Sequence, residues 1–264
     1  MKKYLVIGNP INHSLSPKLQ NYWLKLNNID AIYDKIKLEE FALKNFIADI
    51  KHQKIAGCNV TVPFKKSVIP FLDKLSPSAK QTQSVNTIVF EKGDVVGYNT
   101  DISGFDTAIK KINFDFKNKK ILILGAGGVV PSIIFALKNM DVSEIIISNR
   151  TKEKADDLKV LFKNLKVVEW GRLPDFDVII NATSLGLNDE IINLDFSKSG
   201  KNKLFYDVIY NPEETNFLKT GKELGNKSEN GKTMFIYQAS EAFKLWHGIS
   251  PKINKETSML LEND

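Results

Sequence analysis

Residues 121–137 read ILILGAGGVVPSIIFAL: an unbroken apolar run, a glycine-rich turn and a second apolar run. A strand with no polar position is buried on both faces, which confines it to a sheet covered by other elements on both sides. The turn must then reverse the chain within a few residues and start a helix. Gly125 permits the tight turn, and Gly127 lets backbone N–H groups approach a pyrophosphate at the helix N-terminus. The third position of such a fingerprint falls on Val130, and a bare G-x-G-G also occurs as a simple turn. On this stretch alone, cofactor binding and a plain strand–helix connection both stay open.

Strand and helix patterns alternate along the whole chain, which predicts an α/β fold with largely parallel sheets. Strands are expected at 3–8, 31–38, 56–62, 119–125, 143–150, 177–183 and 203–210, with a hairpin over 85–100 turning at Lys92-Gly93-Asp94. Apolar residues at helical spacing predict helices over 17–28, 39–50, 101–112, 128–140, 152–163, 213–224, 231–246 and 251–262. The polar segment 187–202 reads as a long loop, and the break between two α/β halves falls near residue 101.

The second half points to a particular cofactor. An NAD enzyme carries an acid about twenty residues after the glycine turn, where it meets the ribose hydroxyls. Here the corresponding strand runs into SNRTKEK (148–154), with Asn149, Arg150, Thr151 and Lys154 and no acid at the strand's end. An acid would repel a 2′-phosphate, whereas Arg150 can stack on adenine and bind phosphate in a forked geometry. Cations at a helix N-terminus oppose the helix dipole, so a bound anion explains them better than solvation does. NADP is the expected cofactor. NATSLG (181–186) ends the next strand, and its small and hydroxylated residues, Thr183 among them, suit a wall for a nicotinamide–ribose or an ordinary turn.

The remaining composition narrows the field. The net charge of +6 comes from lysines spread along the chain and interleaved with acids, not from a basic stripe, so nucleic acid is not an expected partner. No apolar run reaches the length of a membrane span, and the start MKKYLVIGNP reads as a first strand. One cysteine, Cys58, excludes an internal disulfide, and three scattered histidines give no metal-ligand spacing. A cytoplasmic protein without a metal is expected.

In the first half, short polar clusters follow the strands: Ser14 and Ser16 in GNPINHSLSP, Asn59, Thr61 and Lys65 in GCNVTVPFK, Asn86 in SVNT, and Asp101 in YNTD. Ligands of open α/β sheets bind outside the carboxyl ends of strands, so these clusters suit a small polyhydroxylated molecule. Each is also an ordinary cap or turn sequence when read alone.

Taken together and in order, GNPINHSLSP, GCNVTVPFK, SVNT, GYNTD, GAGG, NRT, NATSLG, YDVIYNP and NGKTMFIYQASEAFKLWHG resemble shikimate dehydrogenase over nearly the whole chain. The resemblance implies reversible reduction of 3-dehydroshikimate to shikimate with NADPH, in aromatic amino-acid biosynthesis. It implies an N-terminal α/β substrate domain, 1–100 with 238–264, and a Rossmann-type doubly wound NADP-binding domain, 101–237. By the same resemblance Lys65 and Asp101 are the catalytic pair, and Ser14 and Ser16 hold the substrate carboxylate with Tyr210 close by. Asn59, Thr61, Asn86 and Gln238 bind hydroxyl groups or shape the pocket. Gly125, Ala126, Gly127, Gly128 and Val129, then Asn149, Arg150, Thr151 and Lys154, bind NADP, and Val208 and Gly231 line the nicotinamide site. Partners would be the small-molecule substrate and, as an open alternative, a second copy of the chain. The chain departs from the family pattern at Gln20 for His, Gln83-Ser84 for Gly-Ala, Val129 and Val130 for small residues, Leu187 for Met, and Lys232 for Leu.

Overall fold

Two six-stranded sheets organise the computed structural model, which describes residues 1–262 of the 264. The chain forms two units, one built from Met1–Gly104 with the segment from Ile236 onward, the other from Phe105–Phe235.

In the first unit the elements run β1 (Lys2–Gly8), α1 (Ser16–Leu26), β2 (Ala31–Lys37), α2 (Leu43–Lys51), β3 (Gly57–Val60), α3 (Phe64–Ser67), β4 (Lys74–Leu75), α4 (Pro77–Thr82), β5 (Thr87–Glu91) and β6 (Asp94–Tyr98). Helix α5 (Asp101–Lys111) starts in this unit and ends in the second. The strand order is β2-β1-β3-β5-β6-β4. Strands β2, β1 and β3 are parallel, but β3/β5 and β5/β6 are antiparallel. The expectation of largely parallel sheets therefore needs correcting for this unit. The hairpin accounts for the second pair: Lys92 and Gly93, both at positive φ, make the tight turn that folds β6 back on β5, while β5 itself enters antiparallel to β3 after the connection through α3 and α4. The apolar sides of β1, β3 and β5 bury Leu5, Ile7, Cys58, Val60 and Ile88 against Phe46, Ile47 and Ile50 of α2.

The second unit continues with β7 (Lys120–Leu124), α6 (Val130–Leu137), β8 (Glu144–Ser148), α7 (Lys152–Leu161), β9 (Leu165–Val168), β10 (Val178–Asn181), β11 (Leu204–Asp207), α8 (Asn216–Glu223) and β12 (Lys227–Glu229). Helix α9 (Lys232–His247) begins here and ends in the first unit, which α10 (Lys255–Met259) completes. All strands of this sheet are parallel, in the order β12-β11-β10-β7-β8-β9. That is the doubly wound order, and its reversal falls between β7 and β10. The continuous apolar strands β7, β10 and β11 are buried almost throughout, as is α6, which is apolar all round.

Sequence patterning missed the short elements β4, α4, β9 and β12, because two to six residues carry too little periodicity to register. The segment 187–202 is mostly irregular but buries Ile192 and Phe196, the latter in a 3₁₀ turn over 196–198. The last helix covers only Lys255–Met259 of the expected 251–262.

Helix α9 is tied to the first sheet through Trp246. Its Nε1–H donates to the Ile88 carbonyl at 3.0 Å, and its ring lies over Gly57, where a Cβ would come within 2.5 Å of that nitrogen. Gln20 donates to the Ala239 carbonyl on the same helix at 3.0 Å. His247 packs against Tyr4 and Phe243, and burial, reinforced by Lys2, pushes its imidazole down to about 4. The unfolded chain then binds a proton that the folded chain refuses, so stability falls as pH drops from about 6.5 toward that value. Urea unfolding at about pH 7.5 and about pH 5 should show a larger loss for the wild type than for His247→Phe. Equal losses would remove His247 from the acid limb.

Candidate active site

The first unit gathers its polar side chains at one edge of the sheet. The loops after parallel β1 and β3 lie side by side, Asn9 N–H donating to the Val62 carbonyl at 2.9 Å. Asn86 precedes antiparallel β5, and Thr100 and Asp101 follow β6, so the hairpin returns them to the same edge. Strand β3 ends at Val60, and Pro63 precedes the single turn of α3 that carries Lys65.

Lys65 Nζ donates to Asp101 Oδ2 at 2.6 Å, with only 10% and 7% of the two side chains exposed. Taking two such ions out of water costs several kcal/mol per ion, and their attraction repays it only with further hydrogen bonds. Asn86 supplies one: its Nδ2 donates to Asp101 Oδ1 at 2.9 Å. The orientation of that amide is fixed from behind, because Asn86 Oδ1 accepts from Thr100 N–H at 2.7 Å and from the Thr87 hydroxyl at 3.1 Å. Gln238 Oε1 also lies 3.3 Å from Asn86 Nδ2. Asn59 extends the network: its Oδ1 accepts from Tyr33 Oη at 2.6 Å, and its Nδ2 donates to the Asn86 carbonyl and Thr87 Oγ1, both at 3.0 Å.

These bonds divide the polar residues into two kinds. An Asn has two N–H donors, and those of Asn59 are both used within the protein. Thr61, by contrast, packs its methyl against Gly8, and its hydroxyl makes no hydrogen bond among the described residues. Ser16 opens α1 with its hydroxyl likewise free, while Ser14 Oγ accepts only from Ser16 N–H at 3.3 Å. No side chain caps that helix. Asp101 takes one of the three ammonium N–H groups of Lys65, which leaves the others for a ligand oxygen. Sequence reasoning gave no role to Tyr33, Thr87 or Thr100. The two threonines stand inside the quoted motifs SVNT and YNTD, and Tyr33 carries no signal beyond being an aromatic on a strand. Gln83 caps α4 at φ 48°, a left-handed conformation that glycine adopts freely.

In the second unit the glycine turn leaves β7 at the reversal of strand order. Gly125 has φ +108°, and a Cβ there would lie 2.8 Å from the Ala182 carbonyl, so the fold itself demands glycine. Gly127 is different: the nearest atom to a Cβ would be 4.0 Å away, and its φ is not positive. Nothing within the chain requires a missing side chain there, so the open space is a cradle that a Cβ would begin to fill, as backbone N–H groups bound to a pyrophosphate need. Val129 precedes α6 in helical conformation and is half-buried, and Val130 is wholly buried within α6, so the helix packing absorbs the larger residue at 130. Gly231 meets the Val208 backbone so closely that a Cβ would fall 2.1 Å from its carbonyl oxygen. Arg150, Thr151 and Lys154 are exposed around the start of α7, and Asn149 Nδ2 donates to the Thr151 carbonyl. Thr183 donates to Asn181 Oδ1 at 2.7 Å. Tyr210 stacks on Phe235 in this unit, with ring centroids 4.1 Å apart.

Two family models match: the shikimate dehydrogenase substrate binding domain over residues 6–88, and shikimate/quinate 5-dehydrogenase over residues 106–208. A shikimate dehydrogenase (NADP(+)) from Pelagibacter ubique is 54% identical over 262 residues, covering 99% of each chain. The chain belongs to the shikimate dehydrogenase family. Solved structures agree across both units. A shikimate dehydrogenase crystallised with NADP+ superposes with a TM-score of 0.90 at 33% identity, covering 99% of this chain and 94% of that one. The Thermus thermophilus enzyme in complex with NADP(H) and shikimate gives 0.88 at 30% identity, covering 99% and 97%. The expected α/β class with a doubly wound second domain is thereby borne out. Among the described residues no helix is long and apolar enough to cross a membrane.

The contrast between the two glycines is directly testable. Gly127→Ala should keep the wild-type melting temperature while weakening NADP+ binding about tenfold or more, whereas Gly125→Ala should lose stability by ~1 kcal/mol or more. Calorimetric titration and thermal unfolding of both variants read the difference, and unchanged affinity in Gly127→Ala would leave the open space without a role.

Proposed function

We propose that this chain catalyses the reversible NADPH-dependent reduction of 3-dehydroshikimate to shikimate in the cytoplasm. The observation that carries the reading is the nearly buried Lys65–Asp101 pair, held in place by Asn86. NADPH supplies the hydride that makes the ketone carbon of the substrate a secondary alcohol. Reduction leaves charge on the former ketone oxygen, and a lysine ammonium beside it stabilises that charge and donates the proton. In the reverse direction Lys65 accepts the proton of the hydroxyl. Asp101 orients the ammonium and balances its charge, and Asn86 keeps the Asp101 carboxylate turned toward it.

The free hydroxyls fit the rest of the substrate. Ser14 and Ser16 stand at the uncapped start of α1, where N–H groups and the helix dipole favour a carboxylate. Thr61 offers a hydroxyl to the ring oxygens. Asn59, saturated by Tyr33 and Thr87, shapes the site. For the cofactor, Gly125 to Val129 would hold the pyrophosphate and Asn149 to Lys154 the 2′-phosphate, with Thr183, Val208 and Gly231 beside the nicotinamide.

The test is NADP reduction measured spectrophotometrically with shikimate and quinate in parallel, and with NAD in place of NADP. The reading expects shikimate and NADP to give the highest kcat/KM. Lys65→Ala should lower kcat by about two to four orders of magnitude with little change in the KM for shikimate. Asp101→Asn should lower kcat more than it weakens NADP+ binding. A near wild-type kcat in Lys65→Ala would assign the proton transfer elsewhere.

A further inference from the structure

Asp207 is a fully buried carboxylate in the motif YDVIYNP for which the reaction above has no use. It ends β11, and four hydrogen bonds converge on it. Oδ1 accepts from Asn181 Nδ2 at 3.1 Å and from Ile209 N–H at 3.0 Å, and Oδ2 accepts from Asn181 Nδ2 at 3.1 Å and from the Thr215 hydroxyl at 2.7 Å. Each donor belongs to a different stretch of backbone. Asn181 ends β10, and it also grips the loop that follows: its Oδ1 accepts from the N–H and hydroxyl of Thr183, and its Nδ2 reaches the Leu185 carbonyl at 3.0 Å. Ile209 lies in the loop leaving β11. Thr215 caps α8, accepting from Leu218 N–H.

These stretches meet the rest of the cofactor half at its tightest points. The Ala182 carbonyl abuts Gly125 of the glycine turn, and the Val208 carbonyl abuts Gly231. Asp207 thus links the exits of β10 and β11 to the turn after β7. A tie made only for stability gains nothing from a charge here: no cation pairs with Asp207 among the described residues, and burying an unpaired carboxylate is costly. Resting on the NADP reading given above, we propose that Asp207 is the positioning residue of the nicotinamide pocket, its carboxylate holding Thr183 and Val208 in place against the glycine turn.

The carboxylate is responsive to pH in the working range. Burial pushes Asp207 up to about 6, against the pull of its bonds from Thr215, Ile209 and Asn181. The groups around it are neutral: Asn181 from β10, Thr215 at the start of α8, and Tyr206 on its own strand, whose phenol is raised by burial and by Asp207 and Glu229. Below that pH a proton occupies one acceptor site, so one tie is lost and the pocket loosens.

Calorimetric titration of the full chain with NADP+ from about pH 5 to about pH 8 tests the proposal, alongside thermal unfolding. In the wild type NADP+ binding should weaken below about pH 6; in Asp207→Asn it should be about tenfold weaker at neutral pH and lack that acid limb. Thr215→Val keeps the shape but removes one bond that favours the carboxylate, so its acid limb should move to higher pH. Protonation of the cofactor's own 2′-phosphate is common to all three proteins and cancels in the comparison. Wild-type affinity in Asp207→Asn, or superimposable pH profiles in all three proteins, would overturn the proposal. Loss of folding in Asp207→Asn would leave Thr215→Val to decide, with an unmoved acid limb counting against it. Failure of the wild type itself to bind NADP+ would instead overturn the cofactor assignment.

Discussion

A lysine and an aspartate 2.6 Å apart, both almost out of water, are the constraint around which the first unit is arranged. Such a pair is a poor way to add stability, since apolar residues of similar size often do as well or better. Its persistence requires the surroundings to satisfy the remaining hydrogen-bonding groups, and the fold does so with a chain of side chains. Tyr33 fixes Asn59, Asn59 bonds Thr87, Thr87 and Thr100 fix Asn86, and Asn86 holds Asp101. The hairpin that departs from parallel topology has a purpose in this light. Only an antiparallel return brings residues 86–87 and 100–101 to the same sheet edge as the loops after β1 and β3.

The second unit solves a comparable problem with backbone approach. Gly125 and Gly231 let backbone segments come closer than any Cβ would allow, and Asp207 ties the segments that meet them. Gly127, unlike Gly125, is left with open space in front of it and no packing reason for lacking a side chain. Structural demand and ligand demand are thus distinguishable within one short motif.

Much of this was legible in the sequence. Continuous apolar strands and a glycine turn announced the doubly wound unit, and the polar clusters at strand ends marked the edge where the site lies. The sequence motifs point to Lys65 and Asp101, yet only the structure shows their side chains meeting. The hairpin β5/β6 was readable from its turn, but periodicity could not reveal that β5 pairs antiparallel with β3, because that direction depends on partners distant in sequence. Nor could it separate Asn59, whose donors are spent internally, from Thr61, whose hydroxyl is free, although both sit in the same motif. Asp207 left a usable trace: an acid inside the apolar run LFYDVIY must be hydrogen-bonded or functional if that run is a buried strand.

The central claim is that the Lys65 side chain itself moves the proton at the substrate oxygen. Chemical rescue tests it most directly. In Lys65→Ala, shikimate oxidation should accelerate with added small primary amines, and at equal concentration of free base the more basic amines should be more effective, because proton transfer is part of the step being restored. A rate indifferent to amine concentration, or rescue independent of amine basicity, would contradict the account and place the proton transfer on another group.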